Sequence, residues 1–303
     1  MKEVAVLYGG ISAEREVSLE SGRQVIAALG AAGYAVRPVE AGPDLAALIA
    51  ALTPPPAAVF NALHGRFGED GAIQGVLDWM GIPYTHSGIR ASAMAMDKDA
   101  AKAVFAAAEL PVAAGRVYAV ADLPAMALDY PCVLKPLNEG SSVGVSILRS
   151  RDGLLAALQA WRWGARAMVE DFIPGRELTV GVLEDQPLGV TEIIAATDFY
   201  DYTAKYAAGG SRHLLPAPIH PAAAEAALRC AVAAHRALGC RGASRADFRY
   251  DDTRGEPGRL VLLEVNTQPG MTATSLLPEQ AARAGLSFPQ LCAWMVEAAA
   301  CRA

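Results

Sequence analysis

Near the end of the chain, the apolar run 260–263 passes directly into Glu264-Val265-Asn266-Thr267-Gln268-Pro269-Gly270-Met271-Thr272. The polar groups therefore fall where a buried strand meets its exit turn. Side chains alternate along a strand, so Glu264 and Asn266 share a face. A carboxylate and an amide oxygen on one face can hold a hard cation such as Mg²⁺ and leave room for phosphates; an ordinary strand-end turn would use the same residues. Upstream, Arg245-Ala246-Asp247 on another predicted strand puts a cation and a third oxygen donor on one face. Three oxygen ligands and a guanidinium could serve two Mg²⁺ ions and an anionic intermediate. The simpler reading of Arg245 and Asp247 is a structural salt bridge.

The bias of the positive charges is informative. Of 26 basic residues only five are Lys: Lys2, Lys98, Lys102, Lys135 and Lys205. A chain that uses Arg wherever any positive charge serves should keep Lys where a compact ammonium on a flexible stem is needed, as for phosphate. That singles out Lys98, Lys102, Lys135 and Lys205, with Lys2 a terminal surface residue. Asn is equally sparse, at Asn61, Asn138 and Asn266. Lys135 ends an apolar strand, and Glu139-Gly140-Ser141-Ser142-Val143-Gly144 follows at once. Such a loop can offer backbone N–H groups and hydroxyls to phosphate oxygens. A plain hairpin turn would also use Gly and Ser.

These side chains need elements to position them. Residues 1–95 read as an α/β domain, with strands over 4–8, 35–39 and 57–60 and helices over 12–29, 45–52 and 72–80, the first capped by Ser12. Alternation of this kind implies a parallel sheet whose ligands sit at the carboxyl ends of the strands, where Glu14 and His64 fall. Gly9-Gly10 does not extend to G-x-G-x-x-G and no G-x-x-x-x-G-K-[ST] occurs, which disfavours a Rossmann dehydrogenase or a P-loop enzyme. Residues 96–175 read as a small α+β domain: a helix over 97–108 with Lys98 and Lys102 one turn apart, strands over 116–120, 132–135, 143–148 and 167–172, and a helix over 153–160. Residues 176–303 read as a second α+β domain, with strands over 177–183, 188–194, 244–250 and 259–265, a helix over 221–238 and a last helix capped by Ser287. The segment 195–218 is too long and polar for a simple connection, and its aromatics beside Lys205 suggest a lid.

Composition sets the outer bounds. Hydrophobic residues make up 53% and charged residues 19% of 303, as in a globular chain, and the net charge of −6 argues against coating nucleic acid. Apolar runs are too short for a membrane span and the N-terminus too short for a signal peptide, so the reading is a cytoplasmic protein. The five Cys lack C-x-x-C spacing and read as buried free thiols.

Taken in order, these motifs resemble those of the D-alanine–D-alanine ligase family of the ATP-grasp superfamily, essentially end to end. They are Tyr8-Gly9-Gly10-Ile11-Ser12-Ala13-Glu14-Arg15-Glu16-Val17-Ser18, Leu63-His64-Gly65-Arg66-Phe67-Gly68-Glu69-Asp70-Gly71, Met96-Asp97-Lys98, Leu134-Lys135-Pro136, the 139–144 loop, Phe199-Tyr200-Asp201-Tyr202-Thr203-Ala204-Lys205-Tyr206, Arg245-Ala246-Asp247 and the 264–272 stretch. The resemblance implies an ATP-grasp fold, in which two α+β domains clasp ATP behind the N-terminal α/β domain. It implies ATP-dependent joining of two D-alanines through an acylphosphate for peptidoglycan precursors, with two Mg²⁺ ions that Mn²⁺ can replace, in a homodimer with no nucleic-acid or membrane partner.

Carried over residue by residue, Lys98 and Lys135 meet the α- and β-phosphates, while Ser141 and Ser142 close over the phosphates. Glu170, Asp171, Phe172 and Ile173 meet the adenine edge and Glu177 the ribose; Asp247, Glu264 and Asn266 hold Mg²⁺. Glu14 takes the first amine, Arg245 and the Gly270 N–H form an oxyanion site, Ser275 binds the second carboxylate, and Lys205 bridges phosphate and substrate. Tyr206, whose hydroxyl is expected to link to Ser141 and Glu14, accompanies dipeptide formation where Phe accompanies D-lactate acceptance. His64 reads either as an orienter of the first substrate or as a satisfied strand-end histidine. Two positions depart from the family pattern. Asp171 replaces a common Lys or Arg, leaving that contact to the backbone, and Gln268 replaces Ser or Leu on the face away from the ligands, where it should matter little. The alternatives are a ligase with another acceptor such as D-lactate and, in a different class, a non-catalytic nucleotide-binding module, which would be expected to lack some of these ligands.

Overall fold

The computed structural model describes residues 2–195 and 210–301. Strand β1 (Glu3–Gly9) lies between β2 (Ala35–Ala41) and β3 (Ala58–Asn61), parallel to both. Val4, Ala5, Val6 and Leu7 are all fully buried, as expected of a parallel strand covered on both faces. Helices α1 (Arg15–Ala31), α2 (Leu45–Ala51) and α3 (Ala72–Met80) follow the three strands. Asp44 caps α2 by accepting from the Ala46 and Ala47 N–H groups. Ser12 does not cap α1, which begins three residues later. Its hydroxyl instead accepts from the Glu14 N–H at 3.1 Å and donates to the His64 carbonyl at 2.7 Å, tying the exits of β1 and β3 together.

Helix α4 (Ile89–Met96), not anticipated from its small-residue sequence, leads into α5 (Lys98–Ala107), which Asp97 caps through the Asp99 and Ala100 N–H groups. The cap fixes the first turn at Lys98, and Lys102 lies four residues on, along the same side. The central sheet is antiparallel in the order β4 (Gly115–Ala119), β7 (Arg166–Asp171), β5 (Cys132–Lys135), β6 (Ser146–Leu148), with α6 (Arg151–Gln159) after β6. The strand predicted over 143–148 begins only at Ser146. Ser141 and Ser142 both lie in the left-handed region, at φ 51° and 59°, and turn the chain before it can extend.

The third sheet is antiparallel in the order β10 (Ser211–Leu214), β9 (Gln186–Ala195), β8 (Arg176–Leu183), β11 (Ala243–Asp251), β12 (Arg259–Asn266). Strand β10 falls inside the segment predicted as one lid loop. Helix α7 (Pro221–Leu238) covers this sheet, and the side chains of Ala101 and Phe105 on α5 join the same core. Helix α8 (Leu276–Arg283), also unanticipated, precedes α9 (Phe288–Glu297), whose entry is fixed by the Ser287 N–H and hydroxyl donating to Gln290 Oε1 at 2.9 and 2.8 Å. Helix α9 packs back on α1: Leu291 and Met295 share one buried cluster with Val4, Val6 and Val25. The two ends of the chain therefore have a core in common. Among the described residues no helix is long and apolar enough to cross a membrane. The five thiols are unpaired, and burial pushes those of Cys230 and Cys240 up to about 11 and that of Cys292 up to about 12.

Candidate active site

Strands β11 and β12 set the first part of the site by register. Arg245 pairs with Asn266 and Asp247 with Glu264, so the face inferred from alternation carries all four side chains. The register shifts between Asp247 and Phe248, whose partner is Leu262, so Leu263 is the extra residue where the apolar run gives way to ligand types. The Arg245 guanidinium grips Asp247 in a fork, Nε to Oδ1 at 2.8 Å and Nη2 to Oδ2 at 2.7 Å, while the Thr179 hydroxyl donates to the same Oδ1 at 2.6 Å. The salt-bridge geometry is thus present. Among the described residues no group of three or more His, Cys, Asp or Glu gathers as a metal centre. Two carboxylates and an amide fit a hard cation that takes its remaining oxygens from substrate phosphates and water.

Glu14 was expected at the first-substrate end. It lies between β1 and α1, and its Oε1 accepts from the hydroxyl of Ser141, a residue of the loop between β5 and β6. Gly65 makes that approach possible: at φ +67° it is left-handed, and a Cβ there would stand 2.6 Å from Glu14 Oε2. His64 has both ring nitrogens engaged, Nδ1 with Glu69 Oε1 at 3.1 Å and Nε2 with the Ser21 hydroxyl at 3.2 Å. That is the arrangement of a satisfied, buried histidine.

At the nucleotide end, Lys98 donates to the Glu139 carbonyl at 2.6 Å and lies 3.9 Å from Glu264 Oε2, so it links the loop to the proposed metal carboxylate. Lys135 is buried and paired with Glu170 Oε2, and Lys102 is paired with Glu170 Oε1. Burial opposes the charged form of Glu170, yet the two ammoniums together outweigh it and hold the carboxyl below the usual range. Asp171 is exposed, and its backbone N–H donates to the Ala114 carbonyl at 2.9 Å. Phe172 lies under the Arg149 guanidinium at 6.0 Å, Ile173 is buried with Ala113 and Val261, and Glu177 lies 3.8 Å from Arg249. Arg249 also donates to the Ile173 and Gly175 carbonyls, which fixes the link between β7 and β8.

One cavity of about 960 Å³ gathers Glu14, His64, Lys98, Ser141, Arg245, Glu264, Asn266, Gly270 and Ser275. Ser275 precedes α8 but does not cap it; its hydroxyl accepts from the Thr272 N–H at 3.1 Å and lies 3.1 Å from where a Gly270 Cβ would be. Ser142, Lys135, Asp247, the segment 170–173 and Glu177 stand outside this lining. Lys205 and Tyr206, with the rest of the expected lid sequence 199–206, lie outside the described residues.

The expectation that Gln268 matters little is corrected. It is 2% exposed; its Oε1 accepts from Asn61 Nδ2 at 2.8 Å and its Nε2 donates to the Leu63 carbonyl. Its own N–H donates to Asn266 Oδ1 at 2.8 Å. The face opposite the ligands is the one that meets β3. Also lining the cavity and not foreseen are His213 and Glu279, which meet at 2.7 Å, and Glu69. The scarcity of His, five in the chain, is the one sequence signal that could have drawn attention to His213.

Residues 117–297 match the family described as D-ala D-ala ligase C-terminus, and residues 50–87 match D-ala D-ala ligase N-terminus. The D-alanine--D-alanine ligase of Acidiphilium cryptum is 69% identical over 304 residues, covering 100% of each chain. That of Granulibacter bethesdensis is 65% identical over 305 residues, covering 100% of this chain and 99% of its own. Among solved structures, a D-alanine--D-alanine ligase from Bacillus anthracis superposes with a TM-score of 0.85 at 30% identity, covering 98% of this chain and 97% of that one. The same organism's enzyme complexed with ATP gives 0.83 at 27% identity over the same shares.

Proposed function

The chain belongs to the D-alanine–D-alanine ligase family, and from that premise we propose that it joins two D-alanines into D-alanyl-D-alanine at the expense of ATP, for peptidoglycan precursors. The observation that carries this reading is the single cavity in which Glu14, Lys98, Arg245, Glu264, Gly270 and Ser275 converge. A carboxylate is a poor electrophile, so the first D-alanine takes the γ-phosphoryl group of ATP and becomes an acylphosphate with a good leaving group. The amine of the second D-alanine then attacks, the tetrahedral oxyanion collapses, and phosphate leaves with the C–N bond formed.

Residues lining the cavity and residues behind it share that sequence. Glu14, held by Ser141, is assigned to the first ammonium. Lys98 and Lys135 offset phosphate charge as the γ-phosphoryl group moves. The Arg245 guanidinium and the Gly270 N–H are assigned to the oxyanion, and the Ser275 hydroxyl to the second carboxylate. Glu170 to Ile173 and Glu177 are assigned to the adenosine, with Ser141 and Ser142 over the phosphates. Asp247, Glu264 and Asn266 would hold Mg²⁺, which supplies charge neutralisation at the phosphates when bound. Water would destroy an acylphosphate, so exclusion by a closing segment is part of the proposal, with Lys205 and Tyr206 assigned to it. A homodimer acting in the cytoplasm, without nucleic-acid or membrane partners, belongs to the same reading.

One assay tests it. Purified protein with ATP and Mg²⁺ should release phosphate when given D-alanine, with dipeptide mass in the products, and should not do so with L-alanine. Product containing D-lactate would move the acceptor assignment, and no stimulation by D-alanine would overturn the proposal.

A further inference from the structure

Lys102 is marked out by the sequence, through the scarcity of lysine, and the reaction scheme above gives it no part. Its ammonium lies at the nucleotide end, where it donates to the Ala113 carbonyl at 2.6 Å and pairs with Glu170 Oε1. The other oxygen of Glu170 pairs with Lys135. The carboxylate itself is held in place: Glu170 is 5% exposed, and Gly115 opposite it in register would, with a Cβ, stand 2.6 Å from its Cγ. Glu170 thus carries two cations for one charge.

The surplus has a physical consequence. A buried carboxylate stripped of its counter-ion is strongly disfavoured. If Lys135 turns toward a phosphate, Glu170 remains neutralised only because Lys102 stays. The choice of lysine fits this division. At Asp247 the Arg245 fork takes both oxygens, whereas at Glu170 each ammonium takes one, so either can leave without disturbing the other.

We propose that Lys102 is a positioning residue for ATP: it remains on Glu170 as the resident counter-ion and so allows Lys135 to pass from that carboxylate to the phosphates. This rests on the reading of Lys135 as a phosphate ligand given above. The cost of lacking Lys102 is incurred only when phosphates draw Lys135 away. A nucleoside without phosphates leaves Lys135 where it is.

The test measures binding of ATP with Mg²⁺ and of adenosine, together with steady-state kinetics, in the full chain. Lys102→Met should weaken ATP binding at least tenfold, leave adenosine within twofold and leave KM for D-alanine within twofold. Equal weakening of ATP and adenosine, or ATP binding within twofold of the parent, would overturn the proposal. Should Lys102→Met not fold, Lys102→Met/Glu170→Gln is compared with Glu170→Gln. The two should bind ATP within twofold of each other, and a tenfold gap would show that Lys102 acts independently of Glu170 and sink the idea. Lys135→Met is the control for the underlying reading. If it binds ATP normally, the phosphate assignment of Lys135 fails. If it binds ATP weakly while Lys102→Met does not, only the present inference fails.

Discussion

Where the exits of β3 and β12 meet, the contacts are neutral and made by side-chain amides: the Gln268 side chain joins the Asn61 amide and the Leu63 carbonyl in a buried setting. On the side built by the central sheet, they are charge to charge, with Lys102 and Lys135 on Glu170 and Lys98 near Glu264. Neutral amide pairs are directional and lose their value when displaced. Ammonium groups on flexible stems can exchange one oxygen for another. On the proposed assignments, Glu14 for the first D-alanine stands on the amide-locked side and the nucleotide residues on the charged side. A fixed pocket for the first D-alanine would then face a wall able to rearrange around phosphates.

The contrast can be broken most directly at Gln268. Gln268→Leu leaves the Leu63 carbonyl and the Asn61 amide without their partner, at about 1–3 kcal/mol for each group. The denaturant midpoint should fall accordingly, and an unchanged midpoint would mean that this seam is not locked by hydrogen bonds. Ser141→Ala probes the contact between the two sides, the hydroxyl on Glu14. Losing one hydrogen bond to a charged acceptor is expected to raise KM for the first D-alanine roughly tenfold. An unchanged KM for D-alanine would show that the hydroxyl does not hold Glu14 for the substrate.

The third test is a pH effect at the locked seam, spread over several pH units. Burial first, then the nearby His64 and Arg241, depress the His86 ring from its ordinary 6.5 to about 3. Its Nδ1 meets the Thr85 hydroxyl at 2.9 Å, and its Nε2 is buried with no hydrogen-bond partner among the described residues. The folded state therefore keeps this ring neutral while the unfolded chain protonates it. The stability linked to it is complete above pH 6.5 and declines as pH falls toward 3, by about 1.4 kcal/mol per pH unit. In His86→Phe that slope should disappear from an acid denaturation series. A slope identical to the parent's would assign the acid limb to other groups.

Much of the site was legible because its logic is local. Alternation along one strand puts Glu264 beside Asn266, and along another Arg245 beside Asp247, whatever the remainder of the fold does. The four-residue spacing on one predicted helix aligns Lys98 with Lys102 in the same way. Helices α4 and α8 were not legible, being eight residues each, too short for a period of 3.6 to stand out, so that packing decides them. Ser12 has the residue type of a helix cap, and only the approach of His64 turns its hydroxyl to another use.

By itself, then, the sequence determined the strand faces, the helix that carries Lys98 and Lys102, the order of the motifs and through them the family. Tertiary structure alone decided which distant groups share a charge or an amide. Lys102 and Glu170 are 68 residues apart and Asn61 and Gln268 are 207 apart. Side-chain direction within one element follows from backbone geometry, which neighbouring residues dictate. The partner waiting across a buried seam depends on how whole sheets pack, and no local pattern encodes that.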